Sequence, residues 1–217
     1  MDDKERQAAF ISALTTEHFV LQSAASATVS EAAARASLYV FSLSSSLVAM
    51  GFTAQSREMF LPFAATILPA LFLLGVFTVV RLIDTGIENQ QLLAGIARIR
   101  SYYRTLTPEA AVHFSAESGR WPESHSSPPV RFGPLIAFFT TAASMIAFIN
   151  SVVAGAGVAL LAGNLLVRDQ TFFALLLGVA AALVLMAAFL VYQRWRYRIS
   201  APVEARGLGP ETERSAK

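Results

Sequence analysis

Four stretches of the chain contain no charged residue, and each is at least about as long as the hydrocarbon core of a bilayer. They cover residues 36–54, 59–80, 134–163 and 171–191. A transmembrane α-helix needs roughly 20 apolar residues at 1.5 Å rise per residue. The third stretch is longer than this, so we expect its helix to tilt or to extend beyond the hydrocarbon. The sequence therefore predicts an all-α integral membrane protein with four transmembrane helices.

The composition favours a membrane bundle over a soluble domain. Apolar residues make up 54% of the 217 residues and charged residues 15%, whereas about 25% of a typical soluble domain is charged. A soluble chain of this size would lack the polar surface that it needs. The sequence also contains no cysteine, which excludes disulfides and thiolate metal sites.

Short connections and the placement of positive charge predict the topology. Segments 55–58 and 164–170 are short enough that each pair of spans is predicted to form a tight antiparallel hairpin. Of the 17 lysines and arginines, only Arg57 and Arg168 lie in these turns, and the other 15 lie on the opposite side. Positive residues accumulate on the cytoplasmic side of membrane proteins. We therefore expect both termini and residues 81–133 to be cytoplasmic.

The N-terminal segment lacks the compact apolar run and small-residue cleavage site of a removable signal peptide. The spans are thus expected to act as their own insertion signals. The expected location is the inner cell membrane, with several passes through it.

The segments outside the spans predict the domain organisation. Residues 3–35 are rich in alanine and contain no proline, and residues 82–105 carry an imperfect apolar stripe at helical spacing. We expect two helices that extend the first two spans into the cytoplasm and pack against each other. The predicted divisions are 1–106 for the first hairpin with these extensions, 107–133 for a cytoplasmic linker, 134–199 for the second hairpin and 200–217 for a disordered tail.

Asn150 is the most polar side chain within any of the four stretches. Its amide needs hydrogen-bond partners, because an unsatisfied polar group in hydrocarbon costs several kcal/mol. Two interpretations follow: Asn150 bonds to a neighbouring helix, or it lines a water-filled path. The serines of the first span, among them Ser42, Ser45 and Ser46, have the same two interpretations.

A stripe of small residues at four-residue spacing runs along the third span. Such a stripe lets two helix backbones approach closely in lipid. It predicts either an internal contact with the fourth span, or a subunit contact or pore wall. The stripe consists of Ala143, Ala147, Ser151, Gly155, Ala159 and Gly163, and the matching residues of the fourth span are Ala174, Gly178 and Ala182.

Two clusters combine arginines with aromatic rings. The cluster after the fourth span predicts a membrane-interface anchor, with a specific lipid site as the alternative. The second cluster, Arg98, Arg100 and Arg104 beside two tyrosines, is a candidate contact for a phosphate-bearing or other anionic ligand. Its alternative is a solvated face whose rings pack against the N-terminal helix. The anchor consists of Arg194, Trp195, Arg196, Tyr197 and Arg198.

Motifs for catalysis are absent from the sequence. His18, His113 and His125 lie far apart, and no zinc-protease, nucleophile-elbow or phosphate-loop motif occurs. No span has an ionisable residue in its interior, which an ion-coupled transporter normally requires. No basic stripe suits a nucleic-acid groove. We expect no enzyme activity, catalytic residue, metal site, cofactor or nucleic-acid partner.

Three segments carry a resemblance to known proteins. EHFVLQSAASATVSEAAARASLYV leads into the first span, and VVRLIDTGIE and IARIRSYYR follow the second. They resemble a group of uncharacterised bacterial four-transmembrane-helix membrane proteins. More distantly, the first hairpin with its extensions resembles the SLATT-type transmembrane effector modules of bacterial nucleotide-signalling defence systems. This resemblance covers about residues 15–105 and does not require the second hairpin.

The resemblance implies a protein that oligomerises into a pore when a cytoplasmic sensor is engaged. The first hypothesis is thus a non-enzymatic homo-oligomer that forms or gates a pore, with a cytoplasmic protein or a nucleotide signal as its partner. The second is a membrane-anchored scaffold that recruits a cytoplasmic partner and conducts nothing. A small transporter is the third.

Overall fold

The computed structural model describes residues 2–114, 139–165 and 171–200. They form five helices: α1 (Asp3–Thr53), α2 (Arg57–Arg104), α3 (Ala110–His113), α4 (Ala142–Leu165) and α5 (Thr171–Ser200). All except the short α3 are long and apolar enough to cross a membrane. The prediction of an all-helical chain with four helices of transmembrane length and composition is confirmed at this level.

Helix α1 continues without interruption through residues 35 and 36, where the first span was predicted to begin. Its 51 residues correspond to about 75 Å at standard rise. The helix begins with a capping box, in which Asp2 accepts from the first turn and Glu5 accepts from the Asp2 backbone. Only residues 54–56 separate it from α2, so the first connection is a tight turn.

Helices α1 and α2 pack antiparallel along their length. Phe10 contacts Tyr102 with ring centroids 5.4 Å apart, and Thr28 donates to the Asn89 amide oxygen at 3.2 Å. Contact positions therefore rise along α1 as they fall along α2. Buried isoleucines of α2 supply the apolar side of this contact, as the helical stripe in residues 82–105 predicted; they include Ile83, Ile87, Ile96 and Ile99.

The chain divides into two compact units, Met1–Asn150 and Ser151–Lys217. The first contains α1, α2, α3 and the start of α4. The second contains the remainder of α4 and α5. Residues of the predicted linker beyond 114, the start of the third span at 134–138, Arg168 and the tail beyond 200 lie outside the described residues.

Candidate functional site

A polar junction joins three helices inside the first unit. The Asn150 side chain of α4 is fully buried. Its amide oxygen accepts a hydrogen bond from the Tyr39 hydroxyl of α1 at 3.2 Å, and its amide nitrogen donates to the Phe72 carbonyl of α2 at 3.2 Å. Each end of the amide therefore has a partner within the chain. Of the two interpretations of Asn150, this geometry matches the bond to neighbouring helices.

Gly75 provides the space that Asn150 occupies. A Cβ built at Gly75 would collide with three atoms of the Asn150 amide. Only glycine, which has no Cβ, lets the amide lie directly on the α2 backbone. The junction thus needs four residues in register: Tyr39 to donate, Phe72 to accept, Gly75 to make room, and Asn150 to bridge.

Sequence reasoning identified Asn150 but missed Tyr39 and Gly75. A signal was present, since Tyr39 is the only tyrosine in the four uncharged stretches. A buried tyrosine usually has a hydrogen-bond partner. Gly75 stands among leucine, valine and phenylalanine and gives no pattern of its own. Which helix faces Asn150 depends on helix rotation, and four-residue spacing does not determine rotation.

The serines predicted as pore or packing candidates lie apart from this junction. Ser42 is partly buried and donates back to the Leu38 carbonyl at 2.8 Å within α1. Ser45 is exposed and Ser46 is partly buried. None of the three hydrogen-bonds to Asn150. Two further serines of the same helix, Ser37 and Ser44, are exposed.

The small residues of α4 separate into two groups. Ala143 and Ala147 are buried in the first unit. In the second unit, a Cβ at Gly155 would lie 2.6 Å from the Gly178 carbonyl oxygen, so α4 and α5 approach closely at this point. The close approach also involves Ala159, Gly163, Ala174 and Ala182, and the stripe residue Ser151 is buried. This part of the stripe lies in the internal contact that its matching residues indicated.

An ion-pair network links α1 and α2 just before the first predicted span and just after the second. Glu31 accepts from Arg81 at 2.8 and 3.0 Å through both carboxylate oxygens, and from Arg35 at 2.8 Å. Hydrogen bonds from Arg81 and then Arg35 lower the pKa of Glu31 to about 2. The same carboxylate raises the pKa of Arg81. The four-residue interval between Glu31 and Arg35 is typical of an ion pair within one helix, whereas Arg81 lies 50 residues from Glu31 in the sequence.

The second arginine cluster lies beside an aromatic cluster at the far end of the α1–α2 pair. Tyr102 packs edge-on against Phe10, and Tyr103 packs against Phe114 with centroids 5.4 Å apart. Arg98 is exposed, and Arg100 and Arg104 are partly exposed. The rings therefore pack on each other and on α1, and the guanidinium of Arg98 faces solvent.

His18 of α1 lies near the same end. Burial, followed by the positive charge of Arg100, lowers the pKa of His18. The ring nitrogen Nδ1 is buried and has no hydrogen-bond partner among the described residues. Both effects disfavour the charged imidazole.

The predicted anchor forms the end of α5. Arg194, Trp195 and Arg198 are exposed, whereas Arg196 and Tyr197 are partly buried. The Trp195 ring lies 6.0 Å from that of Tyr192. An exposed tryptophan ring between exposed guanidinium groups is typical of a helix end at lipid headgroups.

Comparisons with known proteins found no relative of this chain. The chain was compared with protein-family models, curated proteins and solved structures, and none of them matches. Within the described ranges, no group of three or more histidine or acidic side chains could hold a metal ion.

Proposed function

We propose that this chain is a non-enzymatic protein of the inner cell membrane whose copies assemble into a homo-oligomer that forms or gates a pore. The four long helices cross the bilayer as two antiparallel hairpins. Both termini and residues 81–133 are cytoplasmic. The α1 and α2 segments outside the bilayer receive the signal, from a cytoplasmic protein or a nucleotide.

One observation carries this proposal. Ser37, Ser44 and Ser45 lie in the first span, their side chains are exposed, and their hydroxyls have no hydrogen-bond partner among the described residues. A polar group facing lipid is unfavourable, and hydroxyls in membranes commonly find partners on another helix or in water. Assembly of several copies supplies such partners, either at the contacts between copies or along a water path.

The structure of α1 and α2 supports the coupling of a cytoplasmic signal to the spans. Both helices run without a break from the aromatic cluster around Tyr102 to the turn at 54–56. Glu31 and Arg81 connect them just outside the predicted spans. A displacement at the far end of this pair is therefore carried to the spans by packed helices and not by a loop.

Dye release from liposomes tests the proposal. Purified protein should release a trapped dye, and the release should rise more steeply than linearly with protein density if assembly is required. We expect Ser45→Leu to reduce release, because it removes an exposed hydroxyl from the first span. Leu38→Val, which changes an exposed apolar residue on a neighbouring part of α1, serves as the matched control. Vesicles that stay sealed at every protein density would contradict the proposed function.

Labelling of single cysteines tests the topology separately. Because the chain has no cysteine, Lys4→Cys, Ser126→Cys and Lys217→Cys each create one thiol. An impermeant maleimide added to intact cells should label none of the three, and should label all of them after lysis. Gln55→Cys, in the first turn, should be labelled from outside.

A scaffold is the second candidate function, and the aromatic cluster favours it. Phe10 and Phe114 leave part of their rings exposed, and neither Arg98 nor Arg104 forms an ion pair with a described residue. Exposed rings beside free guanidinium groups suit a protein partner or an anionic ligand. A scaffold would bind such a partner through these residues while liposomes remain sealed.

A further inference from the structure

The last turns of α5 combine arginines and apolar side chains on one exposed side of the helix. Five residues at helical spacing form this side, and we call them the terminal face of α5. All five side chains are exposed, and residues three and four apart lie on the same side of a helix. Buried Gln193 and partly buried Arg196 and Tyr197 lie on the other sides. The terminal face consists of Val191, Arg194, Trp195, Arg198 and Ile199.

The arginines and the apolar residues of the terminal face form two adjacent rows. Arg194 and Arg198 are four residues apart, so their side chains are neighbours on the helix surface, with Cβ atoms about 5–6 Å from each other. Val191, Trp195 and Ile199 follow the same four-residue spacing in the next row. A ligand that has both an anionic group and an apolar chain can therefore contact the two rows at once.

The positive charge of the terminal face has no acidic counterpart on its own helix. Residues 171–200 contain three arginines and neither aspartate nor glutamate. The residues of α4 carry no charge at all. By contrast, Arg35 and Arg81, the arginines next to the first two predicted spans, both donate to Glu31. The charge complement of α5 must therefore come from outside this helix, and it must be negative.

The terminal face begins where the predicted fourth span ends. Helix α5 continues unbroken from Thr171 to Ser200, so Arg194 lies about 5 Å and Arg198 about 11 Å beyond Val191 along the helix axis. The headgroup region adds about 5–8 Å to each side of the hydrocarbon core. In the proposed topology, Arg194 thus lies among headgroups, and the long side chain of Arg198 can extend back to them.

We propose that the terminal face of α5 binds an anionic phospholipid, with the lipid phosphate at Arg194 and Arg198 and an acyl chain along Val191 and Trp195. Guanidinium groups donate paired, charge-assisted hydrogen bonds to phosphate oxygens. A zwitterionic lipid carries an ammonium group beside its phosphate, and the same arginines repel this cation. The headgroup of phosphatidylglycerol has no such cation. The inference rests on the membrane topology of the proposed function, which it deepens by naming the class of lipid bound at the end of the fourth span.

Quenching of Trp195 fluorescence by brominated lipids tests the lipid site. The chain has two tryptophans, so Trp121→Phe leaves Trp195 as the single one. The full chain is reconstituted into phosphatidylcholine vesicles that contain brominated phosphatidylglycerol or brominated phosphatidylcholine at equal mole fraction in both leaflets. Bromine quenches a tryptophan that it contacts. We expect phosphatidylglycerol to be enriched around Trp195 by at least about fivefold, the ratio that one arginine contributes at an anionic surface.

Two single variants of matched charge separate a site from general attraction to a negative membrane. Arg194→Gln removes an arginine of the terminal face and should lower the enrichment about fivefold. Arg196→Gln removes the same charge two residues away, on another side of α5, and should retain most of the enrichment. Circular dichroism verifies that both variants keep the helix content of the unchanged chain.

Equal quenching by the two brominated lipids would overturn the inference, and solvent or a cytoplasmic protein would then cover the terminal face. Equal losses in Arg194→Gln and Arg196→Gln would also overturn it, because they would show attraction without a site. The outcome is separable from that of dye release. Selective quenching in sealed vesicles would retain the lipid site and reject the pore, whereas dye release without selective quenching would do the reverse.

Discussion

Gly75→Ala should disrupt the junction around Asn150, because the new methyl group would occupy the space of the amide. All three outer atoms of the Asn150 side chain lie within 3 Å of that methyl position. The amide must move, and neither hydrogen bond to Tyr39 or Phe72 can then keep its geometry. Overpacking costs about 1–3 kcal/mol, and each interhelical hydrogen bond in a membrane adds about 0.6 kcal/mol. We expect a loss of roughly 2–4 kcal/mol from these two contributions.

The measurement is equilibrium unfolding in mixed detergent micelles, followed by near-ultraviolet circular dichroism, to which the buried Tyr39 contributes. Gly51→Ala is the matched control, since no atom lies within 4 Å of its Cβ position. In a helix, alanine is more favourable than glycine by up to about 1 kcal/mol, so this control should be neutral or stabilising.

A double-mutant cycle separates the steric clash from any other effect of Gly75→Ala. Asn150→Ala alone leaves the Tyr39 hydroxyl buried without its partner and should be destabilising by about 1–3 kcal/mol. In the presence of Asn150→Ala, however, the methyl group at position 75 has room. The two changes together should therefore cost less than their sum by at least about 1 kcal/mol. Additive effects, or a Gly75→Ala variant as stable as Gly51→Ala, would refute this account of the junction.

Two further predictions concern the ion-pair network and the close approach of α4 and α5. Folding lowers the pKa of Glu31 from 4.5 to about 2. The contribution of Glu31 to stability is therefore complete above about pH 4.5 and is lost as the pH falls toward 2. Glu31→Gln should abolish this part of the acid sensitivity of unfolding. Gly178→Ala should destabilise the contact between α4 and α5 by about 1–3 kcal/mol, because the new Cβ would lie 2.6 Å from the Gly155 carbonyl oxygen. Gly163→Ala is the control, since the nearest atom to its Cβ would lie at 3.6 Å, and it should be tolerated in the same unfolding assay.

The number of long helices could be predicted from the sequence. A helix that crosses a bilayer needs a minimum length and few charged residues, and both can be counted in one sequence. The close approach at Gly155 could also be predicted from the sequence, since small residues at four-residue spacing occur on both helices. The hydrogen-bond partners of Asn150 could not be predicted from the sequence. An amide within a span must bond somewhere, but the choice between Tyr39, a serine and water depends on helix rotation and on a single glycine opposite.

The ion pairs around Glu31 could also be predicted from the sequence only in part. A pair within one helix, such as Glu31 and Arg35, follows from a four-residue interval. The bidentate contact with Arg81 depends on the register between two helices that only the turn at 54–56 connects. Shifting that register by one residue would rotate Arg81 about 100° around α2, away from Glu31.

The two sides of α1 have different surroundings. Thr28 and Tyr39 are separated by 11 residues, close to three helical turns, so both lie on the same side of α1, where Thr28 donates to Asn89 of α2 and Tyr39 donates to Asn150 of α4. Ser30 and Ser37 are separated by seven residues and point away from that side. A rotation of α1 about its axis would therefore move Thr28 and Tyr39 away from their partners together, which couples the contact between α1 and α2 to the Tyr39–Asn150 hydrogen bond.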